Sequence, residues 1–491
     1  MIDESMTTST HTKIHTSIGE QPSPNKWSIL LSVALGTFMA TLDSSIVNIA
    51  LPTIREQLQA GDHVEWIILS YLLTTTSTLL IMGRLSDMIG RKKIYIAGFA
   101  VFIAGSFLCG TAWSIWALVL FRIVQGLGAS MIFAIGPAIV SDAFPPVERG
   151  RALGLMGTVV AAGSSTGPVA GGLLLEHFGW SSIFYVNVPI GLFAIWRALR
   201  VLPFKPGLVK STFDITGAFL FLLGVTSLLL GVDLAPQPEY GWGNVIVVSF
   251  LLTGFVLIVL FIMHEARTTS PMLQLSLFNI GPYTSAIASA GIGFIANGAN
   301  IFIIPFYLQL LLHYSPQQAG LIMLAGPVTL SIAAPIGGYL SDKISARWIS
   351  SLGLLITAGG YFAFSFIEST WTWHDVIWRS ALVSLGFGLF QSPNSSSALN
   401  AAPLVQRGVA SSVLAFMRNL GLVLGIALAA SIWYSARMSF SVEQHVLPLS
   451  NEAQIYGMRM VYSMTSVLVM IGAIISVTRT SIGVPALQKE K

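Results

Sequence analysis

Apolar runs of about 20 residues, long enough to cross a bilayer as helices, alternate along this chain with short connections rich in glycine, proline and charge. Fourteen such runs are predicted. They lie near residues 27–50, 64–83, 94–113, 114–138, 152–174, 181–201, 214–233, 243–263, 281–311, 318–340, 348–367, 375–398, 407–433 and 458–479. The expected fold is an all-α polytopic membrane protein with fourteen transmembrane helices. Residues 1–26, rich in Ser and Thr, read as a flexible tail, and residues 480–491 as a second one. The first run is longer than the apolar region of a secretory signal and lacks a cleavage context, so it is expected to be retained as a membrane helix.

Composition sharpens this picture. The chain is 54% hydrophobic and 9% charged, far below the charge content of soluble domains. A net charge of +4 could suggest nucleic acid, but no basic tract supports that partner. Instead, 19 of the 25 basic residues fall in the tails or after even-numbered runs. Arg55, Arg379, Arg437 and Arg459 fall on the other side, and Arg122 and Arg418 lie inside runs. The positive-inside rule then makes both tails cytoplasmic. The single cysteine, Cys109, excludes an intrachain disulfide and a thiolate metal cluster. Neither a G-x-x-x-x-G-K-[ST] phosphate loop nor an H-E-x-x-H zinc pair is present. ATP-driven pumping and zinc proteolysis are therefore disfavoured, and neither an enzyme nor a cofactor or metal site is expected.

The segment "GRLSDMIGRKK" from Gly83 is echoed by "GYLSDKISARW" from Gly338, with Gly, Leu, Ser, Asp and Ile aligned. The echo runs in the same loop direction, which predicts two parallel halves of six helices, 27–201 and 281–479, and an inserted pair with linkers at 202–280. The second copy has Ser345 and Ala346 where the first has Gly90 and Arg91, which weakens its expected gating role. One polar feature stands out inside the first run: "TLDSSIVNIALP", residues 41–52, carries Asp43. A carboxylate among lipid tails costs about 2.5–3.5 kcal/mol on insertion scales, so it is expected to face protein and to have a task.

The Gly83 segment resembles the signature that the major facilitator superfamily carries between its second and third helices. Gly83 and Gly90 permit the tight turn, Arg91, Lys92 and Lys93 anchor it, and Asp87 is expected to face a helix N-terminus or an arginine, while Asp342 takes its place in the echoed gating loop. The fifth run, "GLMGTVVAAGSSTGPVAGG", resembles the antiporter signature of the same superfamily at Gly154, Gly163, Gly167, Pro168, Gly171 and Gly172. Small residues let helix backbones approach closely, and Pro168 bends the helix. Gly167 and Gly171 are expected to face the opposite half. "LDSSIVNIALP", "LVLFRIVQGLGAS", "WSSIFYVNVPIG" and "FDITG" are similar to stretches of the fourteen-helix drug:proton antiporters.

The resemblance implies a proton-coupled exporter of drug-like or amphipathic molecules, driven by the proton gradient in the cytoplasmic membrane and monomeric, with lipid, protons and a small molecule as its partners. Asp43 becomes the candidate coupling residue; the alternative is a permanent pairing with an arginine. Arg122 corresponds to an arginine thought to tune a proton site, or it anchors neighbouring helices, and Arg418 stands open in the same way. Arg122 and Asp43 are expected to meet, directly or through one water: counted from the midpoints of their runs, they lie about 6 and 7 Å outward at 1.5 Å per residue, and the resemblance implies that their two helices pack within one three-helix unit. Trp66, Tyr71, Asn297, Asn300, Gln391 and Asn394 could line a cavity, the alternatives being helix-to-helix hydrogen bonds and interface anchoring. With Asp43 the one acid well inside a run, neutral or monocationic substrates are favoured. Export of one endogenous metabolite or lipid is a second possibility, and a sensor or scaffold that does not transport is a third.

Overall fold

The computed structural model describes residues 25–59, 63–64, 66–204, 212–236, 239–445, 447–448 and 450–478, without the side chains of residues 49, 52, 168 and 316. Both predicted tails, apart from Asn25 and Lys26, lie outside the described residues, as do Lys205, Lys210 and the side chain of Pro168. Among the described residues the regular structure is helical, in fourteen long segments that coincide with the predicted runs. They are α1 (Lys26–Gln57), α2 (Trp66–Ile89), α3 (Arg91–Gly110), α4 (Ile115–Ala143), α5 (Arg149–Phe178), α6 (Ser182–Val201) and α7 (Ile215–Leu234), followed by α8 (Val245–Glu265), α9 (Gly281–Leu311), α10 (Gln317–Lys343), α11 (Ala346–Phe364), α12 (Trp373–Ala401), α13 (Arg407–Gln444) and α14 (Asn451–Val477). Twelve of them are long and apolar enough to cross a membrane by length and composition; α11 and α12 are the two that fall short.

Only helices and closed barrels satisfy every backbone group in lipid, and local signals place their ends. Ser114 Oγ accepts from Ala117 N at 3.2 Å to open α4, Thr372 and Asp375 form a capping box at α12, and Asp214 Oδ1 accepts from Gly217 N at 2.8 Å at α7. Gly90 joins α2 to α3 at φ +112°, a backbone conformation that favours glycine. Pro137, Pro305, Pro335 and Pro393 interrupt the hydrogen-bond ladders of α4, α9, α10 and α12. The sixth and tenth runs are each two helical pieces, joined at Val186 and Leu324.

Packing repeats at an offset of eight helices. Within the first half α1 packs on α4, α5 and α6, while α4 packs on α2 and α3, and α3 on α6. Within the second, α9 packs on α12, α13 and α14, while α12 packs on α10 and α11, and α11 on α14. The halves meet through α5 against α10 and α2 against α13, which are each other's images under the repeat. The inserted pair α7 and α8 packs on itself, and α7 leans on the α2–α13 joint.

Candidate functional site

Asp43, in the middle of α1, is fully buried, and its carboxylate is met by donors on both oxygens. Arg122 Nη1 donates to Oδ2 at 2.7 Å; Gln125 Nε2 and Asn187 Nδ2 donate to Oδ1 at 2.8 and 2.9 Å. All three groups are N–H donors, the complement of a carboxylate's acceptor oxygens. Arg122 is as deeply buried, at 1% exposure. Its Nη1 also reaches Gln125 Oε1 at 2.8 Å, its Nε reaches Ile67 O at 3.1 Å, and its guanidinium lies 4.2 Å from the centre of the Tyr71 ring. Asn187 passes the network on to Ser106, whose hydroxyl donates to Phe184 O. Five of the six helices of the first half, α1, α2, α3, α4 and α6, therefore contribute to one cluster.

The expected meeting of Asp43 and Arg122 is thus present in the structure. Sequence reasoning passed over Gln125, Asn187 and Ser106. Gln125 carried a signal, since it follows Arg122 by three residues and so lies on the same helix face. Nothing in the apolar period said that α6 would turn Asn187 towards α1.

A separate cavity lies between the halves, with about 880 Å³ of empty space including its open mouth. Thr37, Phe133, Met156, Phe294, Gln391 and Arg418 represent the helices α1, α4, α5, α9, α12 and α13 on its walls. Of the residues expected there, Gln391 and Asn394 line it; Asn394 also donates to Ala286 O at 2.8 Å. Asn297 shares by helical register the α9 face that carries Ala290 and Phe294 but does not itself line the cavity. The other three lie elsewhere, Asn300 in the helix-to-helix hydrogen bond that was its alternative role. Tyr71 stacks on Arg122 in the Asp43 cluster, Trp66 packs on the apolar cluster at the far end of the first half, and Asn300 accepts from Tyr462 Oη of α14 at 3.3 Å. Arg418 is half-buried and faces this cavity.

At the end of the bundle where α1 begins, the halves are locked together. Asp87, at the end of α2, accepts from Gly408 N and Val409 N at 3.2 and 3.1 Å, the first turn of α13, and pairs with Arg91 at 3.2 Å. Asp342, at the end of α10, accepts from Gly150 N and Arg151 N at 3.0 Å each, the first turn of α5. Each acid sits at the positive end of a helix from the opposite half. A second pair of contacts follows the same symmetry. Arg407 of α13 binds Asp142 of α4 at 3.2 Å, and Arg149 of α5 binds Asn400 of α12. Arg91 also pairs with Asp142. Gly83 sits against Ser412 and Gly408, where a side chain would collide. Lys92 stays within its own half, donating to Leu199 O and Leu202 O at the end of α6 at 2.7 and 2.6 Å.

The glycines of α5 divide between two neighbours, against expectation. Gly154 faces α10 of the other half, where a Cβ would collide with the backbone of Ala334 and Pro335. Gly163, Gly167 and Gly171 instead face α1 of their own half, at Thr41, Ser45 and Ile46. Ser45 Oγ donates to Ser164 O at 2.8 Å across that contact. A stripe of small residues bends round the helix as it rises, so its two ends meet different partners. Gly172 has nothing within 4 Å of where a side chain would begin.

The sequence profile of the Major Facilitator Superfamily matches residues 33–302 and 286–486. The riboflavin transporter RibZ of Clostridioides difficile is 36% identical over 411 residues, 83% of this chain and 88% of that one. The multidrug resistance protein Stp of Mycobacterium tuberculosis is 34% identical over 429 residues, 85% and 78% of the two chains. Among solved structures, the human organic anion transporter MFSD10 superposes with a TM-score of 0.66 over 92% of this chain and all of that one. At 15% identity that likeness speaks for the fold alone.

Proposed function

The chain belongs to the Major Facilitator Superfamily, and on that footing we propose that it is a proton-coupled exporter of drug-like or amphipathic small molecules. It works by alternating access in the cytoplasmic membrane, with fourteen crossings and both termini cytoplasmic. The locked end carries most of the basic residues, so under the positive-inside rule this arrangement is closed to the cytoplasm.

The observation that carries the reading is the Asp43 cluster: one fully buried carboxylate, held by donors, on a helix that also walls the cavity. Thr37 precedes Asp43 by six residues, about 9 Å along α1. Arg122 and Phe133 share α4 in the same way, so the two helices that hold the charged pair also form part of the substrate wall. A proton arriving on Asp43 removes the charge that Arg122, Gln125 and Asn187 hold, and loosens the contacts between α1, α4 and α6. In the proposed cycle, that loosening lets the first half rock against the second, and release of the proton on the cytoplasmic side resets it. The separation of Asp43 from the cavity supports indirect coupling, with proton and substrate on different groups. The multidrug relative supports a broad substrate range.

The riboflavin transporter, at 36% identity, favours a second reading, transport of a single metabolite of that kind. Proteoliposomes with an imposed proton gradient test both. Accumulation of several unrelated dyes, each displaced by the others, is the result expected of the exporter. Uptake of riboflavin alone would favour the second reading, and no gradient-driven flux with any probe would reject both.

A further inference from the structure

Among the described residues the wall of the cavity carries a cation and no acid. Arg418 contributes a guanidinium whose carbon lies 4.8 Å from the centre of the Phe133 ring, across the joint between the halves. Among the described residues its one hydrogen bond is a long one, Nε to Asn419 Oδ1 at 3.4 Å, and it takes part in no salt bridge. Arginine has five N–H donors, so the terminal nitrogens of this cavity-lining residue keep their hydrogen-bonding capacity unused. Gln391, also on the wall, makes no side-chain hydrogen bond. Among the described residues no aspartate or glutamate lines the cavity, and Asp43 is committed to its own cluster.

We propose that the cavity takes aromatic organic anions, with Arg418 holding the anionic group and Gln391 a neighbouring acceptor. The proposal rests on the transporter reading and names its substrate class. Phe133 and Phe294 give the wall apolar ring surface on which an aromatic body packs, with the fully buried Phe390 behind them. A carboxylate, phenolate or sulfonate supplies what the guanidinium lacks, a charge-assisted and geometrically matched acceptor pair. A cationic ligand meets the opposite: repulsion from Arg418 and no carboxylate to answer it. This revises the preference for neutral or monocationic substrates, which rested on the number of acids in the runs and not on where their side chains point.

Two dyes with the same three-ring skeleton and opposite charge, fluorescein and rhodamine 123, make the test. Binding of each to the purified full chain in detergent is measured by fluorescence anisotropy, with no gradient. Fluorescein is expected to bind at least about tenfold more tightly. Arg418→Gln is expected to abolish that preference and Arg418→Lys to keep part of it, with thermal unfolding confirming that both variants are folded. If Arg418→Gln does not fold, displacement of fluorescein from the wild type by benzoate but not by benzamide carries the same prediction. Rhodamine 123 binding as tightly as fluorescein, equal displacement by benzamide, or a folded Arg418→Gln with unchanged fluorescein affinity overturns the proposal. An anion preference without proton-driven flux supports this proposal and counts against the exporter reading.

Discussion

A carboxylate withdrawn from water persists only where donors replace the water, and Asp43 receives them from Arg122, Gln125 and Asn187. Asp43→Asn is expected to insert and fold normally and to lose uphill export, because an asparagine cannot carry the proton. Arg122→Gln leaves the acid buried without its cation. As a single change it is expected to cost about 3–5 kcal/mol of stability, and clearly less when Asp43→Asn is also present, so a double-mutant cycle of thermal unfolding should return a large coupling between the two. Additive losses would mean that the pair is not an energetic unit. This meeting was legible in the sequence because two charged side chains had matching depths in two apolar runs and the family resemblance placed those two helices in one unit. Asn187 was not legible, since its place depends on how α6 packs across α1 and α3, and hydropathy does not encode that.

Helix positions followed from the apolar runs almost everywhere, because in lipid the backbone has few choices. The breaks at Val186 and Leu324 did not, since continuity of hydrophobicity says nothing of continuity of hydrogen bonding. The α5 stripe marks the limit of pattern reading in another way: glycine spacing reports that a neighbour is close, but not which one. Gly154 and Gly167 consequently make different predictions. Gly154→Leu should pry α5 from α10 and open the joint between the halves, seen as increased labelling of a cysteine at Ser395 in the cavity. Gly167→Leu should push on Ser45 and disturb α1 beside Asp43, with about 1–3 kcal/mol lost in thermal unfolding and little change in that labelling. Identical effects from the two would contradict the division of the stripe.

Across the whole molecule the repeat makes two joints of unequal strength, which the proposed cycle uses as gates. The gate of Asp87 on α13 is reinforced by Arg91, and Asp142 beside it is held by both Arg91 and Arg407. Its image, Asp342 on α5, has Asn400 where the first gate has Asp142 and no counterpart of Arg91. The echo in sequence revealed both copies and their difference at Ser345 and Ala346; that each copy would cap a helix of the opposite half was visible only in three dimensions. An acid at a helix N-terminus contributes up to about 2 kcal/mol. Asp87→Asn should therefore shift the balance towards cytoplasmic opening by more than Asp342→Asn does, read by labelling of the Ser395 cysteine from the cytoplasmic side. Equal shifts would show that the flanking charges add nothing.

The central claim is that a proton on Asp43 drives movement of substrate through the cavity. The most direct measurement compares wild type and Asp43→Asn in proteoliposomes, following one transported dye while the direction of the pH gradient is reversed. The account predicts that wild-type accumulation reverses with the gradient, whereas the variant only equilibrates the dye down its own gradient. Gradient-driven accumulation by Asp43→Asn at the wild-type rate would contradict it.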